Sequence, residues 1–204
     1  MKDTDNKETR IKYTFPYWGP FLFYTNVPKT ITDKLLKQAT NKKSHHKKLA
    51  GHIKKQFIYP ENIFMDCLKP YLTAYLKEAS VYYRSKIFID KGIKLIGPPW
   101  INYMKSGEFN PPHIHNKGDF SMILFLQVPK TLKKENINFT GNSSGPGSVE
   151  FIYGENRFLN ISDHSLFPQV GNFLMFPANL YHWVYPFKSK GERISISANL
   201  KLNS

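Results

Sequence analysis

Cysteine is all but missing from this chain: Cys67 is the only one in 204 residues. That excludes an intrachain disulfide and any multi-cysteine metal framework, and it fits a reducing compartment. No apolar run approaches the roughly 18 residues that cross a bilayer. Residues 1–10, MKDTDNKETR, lack the apolar stretch of a secretory signal. The expectation is a cytoplasmic protein with no membrane partner. Acids are scarce, 15 Asp and Glu against 29 Lys and Arg, for a net charge of +14. Such a surplus invites a polyanion partner. Arginine is scarce too, however: Arg10, Arg84, Arg157 and Arg193 are the only ones. Sites that read phosphates and bases prefer its planar fork to the point charge of lysine, so nucleic acid is a partner the composition allows but does not favour.

What is present is a globular composition, 41% hydrophobic and 15% aromatic, of a length that suits one domain. Residues 1–12 are polar and read as a mobile tail, 13–99 as helices and supporting strands, and 100–204 as a β-rich core. Within the first part, 13–24 reads as an edge strand and 31–40 as a helix capped by Thr30 or Thr32. The most basic window, 41–56, reads as a solvated loop despite His45, His46 and His52, because no acid or cysteine accompanies them. Residues 61–84 have helical apolar spacing, with Cys67 packed inside and Pro70 expected to kink or split the helix. Residues 86–96 read as a strand pair turning at Asp90-Lys91-Gly92. Residues 131–147 form a polar loop, and 148–153 and 158–161 read as strands. His164 belongs to no motif.

The chain is organised around residues 100–129. His113-Ile114-His115 stands at the centre, approached through Pro111-Pro112 and followed by the apolar run 120–127. On a strand, residues two apart share a face, about 6–7 Å apart. Two imidazoles placed so are two-thirds of a facial metal site. The best source of a third ligand is His182, which opens a strand after the apolar run 172–176 and a Pro-Ala-Asn turn. Residues 191–199 then alternate, with Arg193, Ser195 and Ser197 on one face and Ile194, Ile196 and Ala198 on the other. A guanidinium followed by a hydroxyl on an inner face suits an end-on carboxylate. Trp100 and Trp183 flank the candidate ligands and read as core.

In this order, His-x-His, a distant His, an Arg about ten residues on and a hydroxyl two further, the chain resembles the Fe(II)/2-oxoglutarate-dependent oxygenases. The likeness is to their prolyl-4-hydroxylase-like branch and covers about residues 100–200. It implies a mainly β fold, a double-stranded β-helix or jelly roll of cupin type, with the N-terminal helices packed on the larger sheet. It implies Fe(II) on His113, His115 and His182, with 2-oxoglutarate and O2 as cosubstrates. Arg193 and Ser195 would take the distal carboxylate, and Tyr103, ten residues before the first His, would assist. The products would be succinate, CO2 and a hydroxylated protein, nucleic acid or small molecule. His115 stands where the family usually has a carboxylate, and Asp119 is a competing ligand close by. Gly107…His113-x-His115…Asp119 and Gly171…Pro177…His182 also resemble the two cupin motifs. A cupin-type metalloenzyme without 2-oxoglutarate, or a non-catalytic jelly-roll module, are the alternative readings.

Overall fold

The computed structural model describes residues 19–40, 43–45 and 49–204. The expected tail, the first half of the expected 13–24 strand and His46 lie outside them. Two antiparallel sheets carry the fold. The large one runs β1(Phe23–Asn26), β9(Asn172–Pro177), β6(Phe120–Gln127), β11(Arg193–Leu202), β4(Trp100–Met104), β2(Lys55–Ile58), with β3(Ile93–Leu95) also on β11. The small one runs β5(Asn110–His113), β10(Tyr181–Val184), β7(Val149–Ile152), β8(Asp163–Leu166). Numbering the strands β4 to β11 from one to eight gives the orders 6-3-8-1 and 2-7-4-5. This is the double Greek key of a jelly roll.

Side-chain alternation on the large sheet sorts two cores. Ile101, Met122, Leu124, Ile194, Ile196 and Ala198 face outward and pack with the helices; Met104, Ile123, Phe125 and Leu174 face the small sheet. The outer face is covered by α1(Lys29–Lys37) and α2(Glu61–Tyr82), the latter through Phe64, Cys67, Leu68, Leu72, Tyr75, Leu76 and Ala79. The helix-on-large-sheet arrangement is thus the one the sequence implied.

Several local expectations give way. Helix α2 continues through Pro70 instead of splitting. Pro70 is exposed, so the carbonyl that loses its N–H partner can turn to water. Helix α1 starts earlier than expected and has no side-chain cap, because the Thr32 hydroxyl donates back to Lys29 O at 3.0 Å. Residues 86–96 form a short helix, α3(Ile87–Lys91), and only one strand; Gly92 at φ 62° ends the helix. The 131–147 segment contains a helix, α4(Leu132–Ile137). Residues 158–161 are an exposed loop, and the second strand of that hairpin is β8, which holds His164.

The basic window is no plain solvated loop. Ser44 bridges to Phe57 of the large sheet and His52 to Phe109 beside the small one. The segment therefore crosses from one sheet to the other. Gly51 permits the crossing: an added Cβ would lie 2.0 Å from Asn110 Oδ1. Glu108, almost fully buried, ties the far end down by accepting the N–H groups of Lys54 and Lys105 at 3.0 and 2.8 Å.

Candidate metal centre

His113 and His182 meet because β5 and β10 pair with these two residues opposite each other. β5 is an edge strand, where Pro111 and Pro112 break no ladder. His115 lies just past the end of β5, held by its N–H to Ala178 O at 2.7 Å. The ring centroids are 4.3 Å apart for His113–His182, 5.0 Å for His113–His115 and 5.2 Å for His115–His182. One nitrogen from each lies within 4.8 Å of the others, so the three could hold a single ion. Phe176 and Phe151 wall His182, at 4.9 and 5.9 Å between ring centroids.

Burial makes these imidazoles neutral donors. Desolvation, with His113 alongside, lowers His182 to about 3 and His115 to about 4; His113 is lowered by desolvation too. Nδ1 of His113 is 2.7 Å from Pro111 O, and Nδ1 of His182 is 2.8 Å from Leu180 O. A carbonyl only accepts, so both rings carry hydrogen on Nδ1 and leave the Nε2 lone pair free, as a metal ligand needs.

Asp119 is not part of this cluster. Its carboxylate accepts the Leu202 N–H at 2.8 Å, and its backbone bonds Leu200 and Ala178. It latches the end of β11 across the loop. Asp119→Ala should therefore leave bound metal, measured by elemental analysis, at the wild-type level. Loss of the hydrogen bond to Leu202 should cost about 0.5–1.5 kcal/mol in denaturant melts. Loss of metal in that variant would put Asp119 among the ligands. His164 is exposed on β8, away from the triad.

The inner face of the large sheet continues the site. Gln56, Asn102 and Ser195 stand in register on β2, β4 and β11. Gln56 donates to Asn102 Oδ1 at 2.8 Å, and Asn102 donates to the Ser195 and Ser197 hydroxyls at 3.4 Å each. Asn102, Ser197 and Asn199 line the cavity that opens on the three histidines. Trp100 lines it as well, 6.4 Å from the His115 ring, whereas Trp183 alternates to the other side of β10 and packs on Tyr185.

Arg193 lies at the start of β11, on the same face, 1% exposed. Its Nη1 donates to Gly147 O at 3.0 Å and its guanidinium sits 5.4 Å from the Phe125 centroid. Nε has no partner, and no carboxylate pairs with it among the described residues. Burial pulls the group down to about 9, still a cation at neutral pH. A buried cation without an anion is costly, so this residue fits a ligand carboxylate.

Tyr103 does not join it. It pairs with Ile194 on the outward face, packs against the helix-side core and meets Phe57 edge-on at 6.0 Å. The ten-residue spacing to His113 is present, but the pleat sends Tyr103 away from the cavity. The inward neighbour is Asn102. The stretch W-I-N-Y-M carries a signal for it: Asn102 is the polar residue in phase with Ser195 across an apolar strand.

No curated protein matches the chain in sequence. Residues 99–199 match the family model described as putative 2OG-Fe(II) oxygenase. Among solved structures, a Pseudomonas putida prolyl-4-hydroxylase is similar with TM-score 0.55 and 13% identity, over 90% of this chain and 93% of that one. A prolyl hydroxylase from Trichoplax adhaerens, in complex with a hypoxia inducible factor oxygen degradation domain peptide fragment, gives TM-score 0.54 and 14% identity, over 88% and 83%. At these identities the structures speak for the fold, a double-stranded β-helix, and the matched family supplies the chemistry. With the histidines gathered at the end of that fold, the chain belongs to the Fe(II)/2-oxoglutarate-dependent oxygenases.

Proposed function

We propose that this chain binds Fe(II) through His113, His115 and His182 and 2-oxoglutarate through Arg193 and Ser195, and hydroxylates a primary substrate with release of succinate and CO2. The observation that carries this reading is the pairing of three neutral imidazoles, gathered at the end of the small sheet, with a buried, anion-free guanidinium on the inner face of the large sheet. A cupin-type site without 2-oxoglutarate has no use for that cation. When bound, iron and 2-oxoglutarate supply the oxidising power by which O2 is divided between succinate and a substrate C–H bond. The protein supplies geometry and exclusion of water. Phe151 and Phe176 keep one side of His182 apolar, and Trp100 closes the side of His115.

The primary substrate class that the fold favours is a peptide segment, since one structural neighbour holds a peptide. Nucleic acid and small metabolites rank behind it. The experiment is an anaerobic Fe(II) titration with and without 2-oxoglutarate, read by the visible metal-to-ligand charge-transfer band of bidentate chelation. A band that needs both components is the expected result. Iron binding with no band at any 2-oxoglutarate concentration would return the protein to the cupin reading.

A further inference from the structure

The three histidines are not held alike. His113 and His182 each have Nδ1 on a backbone carbonyl two residues back, and that choice of tautomer is fixed by the chain. Nδ1 of His115 instead faces a side-chain amide, Asn199 Nδ2, at 3.3 Å. The other end of that amide, Oδ1, accepts the Ser121 hydroxyl at 2.8 Å. Ser121 and Asn199 are register partners on β6 and β11, Ser121 is buried, and both line the cavity. In this arrangement Nδ1 of His115 is the acceptor, so the ring hydrogen sits on Nε2 and neither ring nitrogen has a lone pair left for a metal.

An amide turned over by a half rotation keeps nearly the same shape, since its oxygen and nitrogen are almost equal in size. Serine can donate or accept. Both contacts therefore survive the turn: Oδ1 would accept from His115 Nδ1–H, and Nδ2 would donate to Ser121 Oγ. That state frees Nε2. We propose that Asn199, backed by Ser121, is the positioning residue that selects the ligating tautomer of His115. The inference rests on the metal reading of the triad. It explains how a histidine works in the place where a carboxylate needs no tautomer choice. A carboxylate offers lone pairs whatever its neighbours do, whereas an imidazole must have its hydrogen drawn to the far nitrogen. The backbone does this for two rings, and Asn199 does it for the third. Its position is stiff: the Asp119 N–H donates to Leu200 O at 2.9 Å, binding β11 to the His115 loop one residue beyond Asn199.

The test uses zinc, which is diamagnetic, on the intact chain. Long-range proton–nitrogen spectra of the imidazoles read each tautomer, and competition with a chelator reads affinity. His115 in the zinc-loaded wild type should carry its hydrogen on Nδ1. Asn199→Asp, which can only accept, should bind zinc at least as tightly as wild type with the same tautomer. Asn199→Leu should bind about 10–100-fold more weakly, the usual cost of losing a partner behind a ligand, with the His113 and His182 signals unmoved. Zinc affinity equal to wild type in a folded Asn199→Leu, or hydrogen on Nε2 of His115 in the loaded wild type, would overturn the proposal. If Asn199→Leu does not fold, the wild-type tautomer and the Asn199→Asp affinity decide it. Equal zinc binding by wild type and His182→Ala would instead overturn the metal reading, and this inference with it.

Discussion

His182→Ala should lose the metal. His182 is the most buried of the three candidate ligands and stands opposite both His113 on β5 and Phe151 on β7. Without it two imidazoles remain, one of them just past a strand end. Total binding energies of about 10–16 kcal/mol for structural zinc sites put each ligand near 3 kcal/mol. That is roughly a hundredfold in affinity, enough to strip iron, which binds N/O sites more weakly than zinc. His164→Ala is the control, because its ring is exposed on edge strand β8 and belongs to no cluster. Metal content by elemental analysis, after dialysis against a weak chelator, separates the two. His182→Gln guards against a folding artefact, since it refills much of the space against Phe151 and Phe176. Equal metal in wild type, His182→Ala and His164→Ala would sink the assignment.

How much of this site was legible depends on which physical signal carried each residue. Arg193 and Ser195 announce themselves by period-two alternation and share the inner face of β11, while His182, read from the apolar strand and turn before it, lies opposite His113. His115 was read as the strand partner of His113, two residues on, but the strand stops short of it. It projects from the loop after β5, and its place is fixed by a hydrogen bond to Ala178, sixty-odd residues away in sequence and beyond the reach of any local pattern. Tyr103 fails because a count of residues says nothing about phase. Between Tyr103 and His113 the chain leaves one sheet and enters the other, so the parity of ten carries no information about facing.

Asn199 and Gln56 were missed for a related reason. Each matters through a partner on another strand, and cross-strand register is tertiary information. Asp119 was an open choice from sequence because it is near His115 in number. Its carboxylate is committed to the Leu202 N–H, a strand-end contact that only the assembled sheet creates. The basic window misled through composition: lysines say solvent, but Leu49, Ala50 and Gly51 among them wall the cavity.

Arg193→Leu should weaken 2-oxoglutarate binding by about two to four powers of ten and leave Fe(II) affinity nearly unchanged. Breaking a buried charge pair costs roughly 3–5 kcal/mol, and each 1.4 kcal/mol is about tenfold. Iron affinity should hold because Arg193 lies six residues before Asn199 on β11. Its neighbours are Gly147 O and the Phe125 ring, and it makes no contact with the three imidazoles. The metal-free, cosubstrate-free protein should not be destabilised by the change. There the guanidinium has one backbone acceptor, Gly147 O, one orphan nitrogen and no anion. An apolar side chain against Phe125 removes that desolvation cost. This opposite response, unchanged or higher melting temperature with collapsed cosubstrate affinity, separates a ligand-binding cation from a structural one. Ser195→Ala should cost about tenfold in 2-oxoglutarate affinity, as one hydrogen bond to a charged group is lost. Three neutral imidazoles leave more positive charge at the metal than a set with a carboxylate would. On the proposed reading the chelating end of a dianion would then be held more firmly, and Arg193 would set the length of the molecule accepted. Oxalate or pyruvate, which do not reach Arg193, should bind Arg193→Leu as they bind wild type. The measurements are calorimetric titration of the manganese-loaded protein and succinate formation against 2-oxoglutarate concentration. Normal 2-oxoglutarate affinity in Arg193→Leu would place the cosubstrate elsewhere on the inner face.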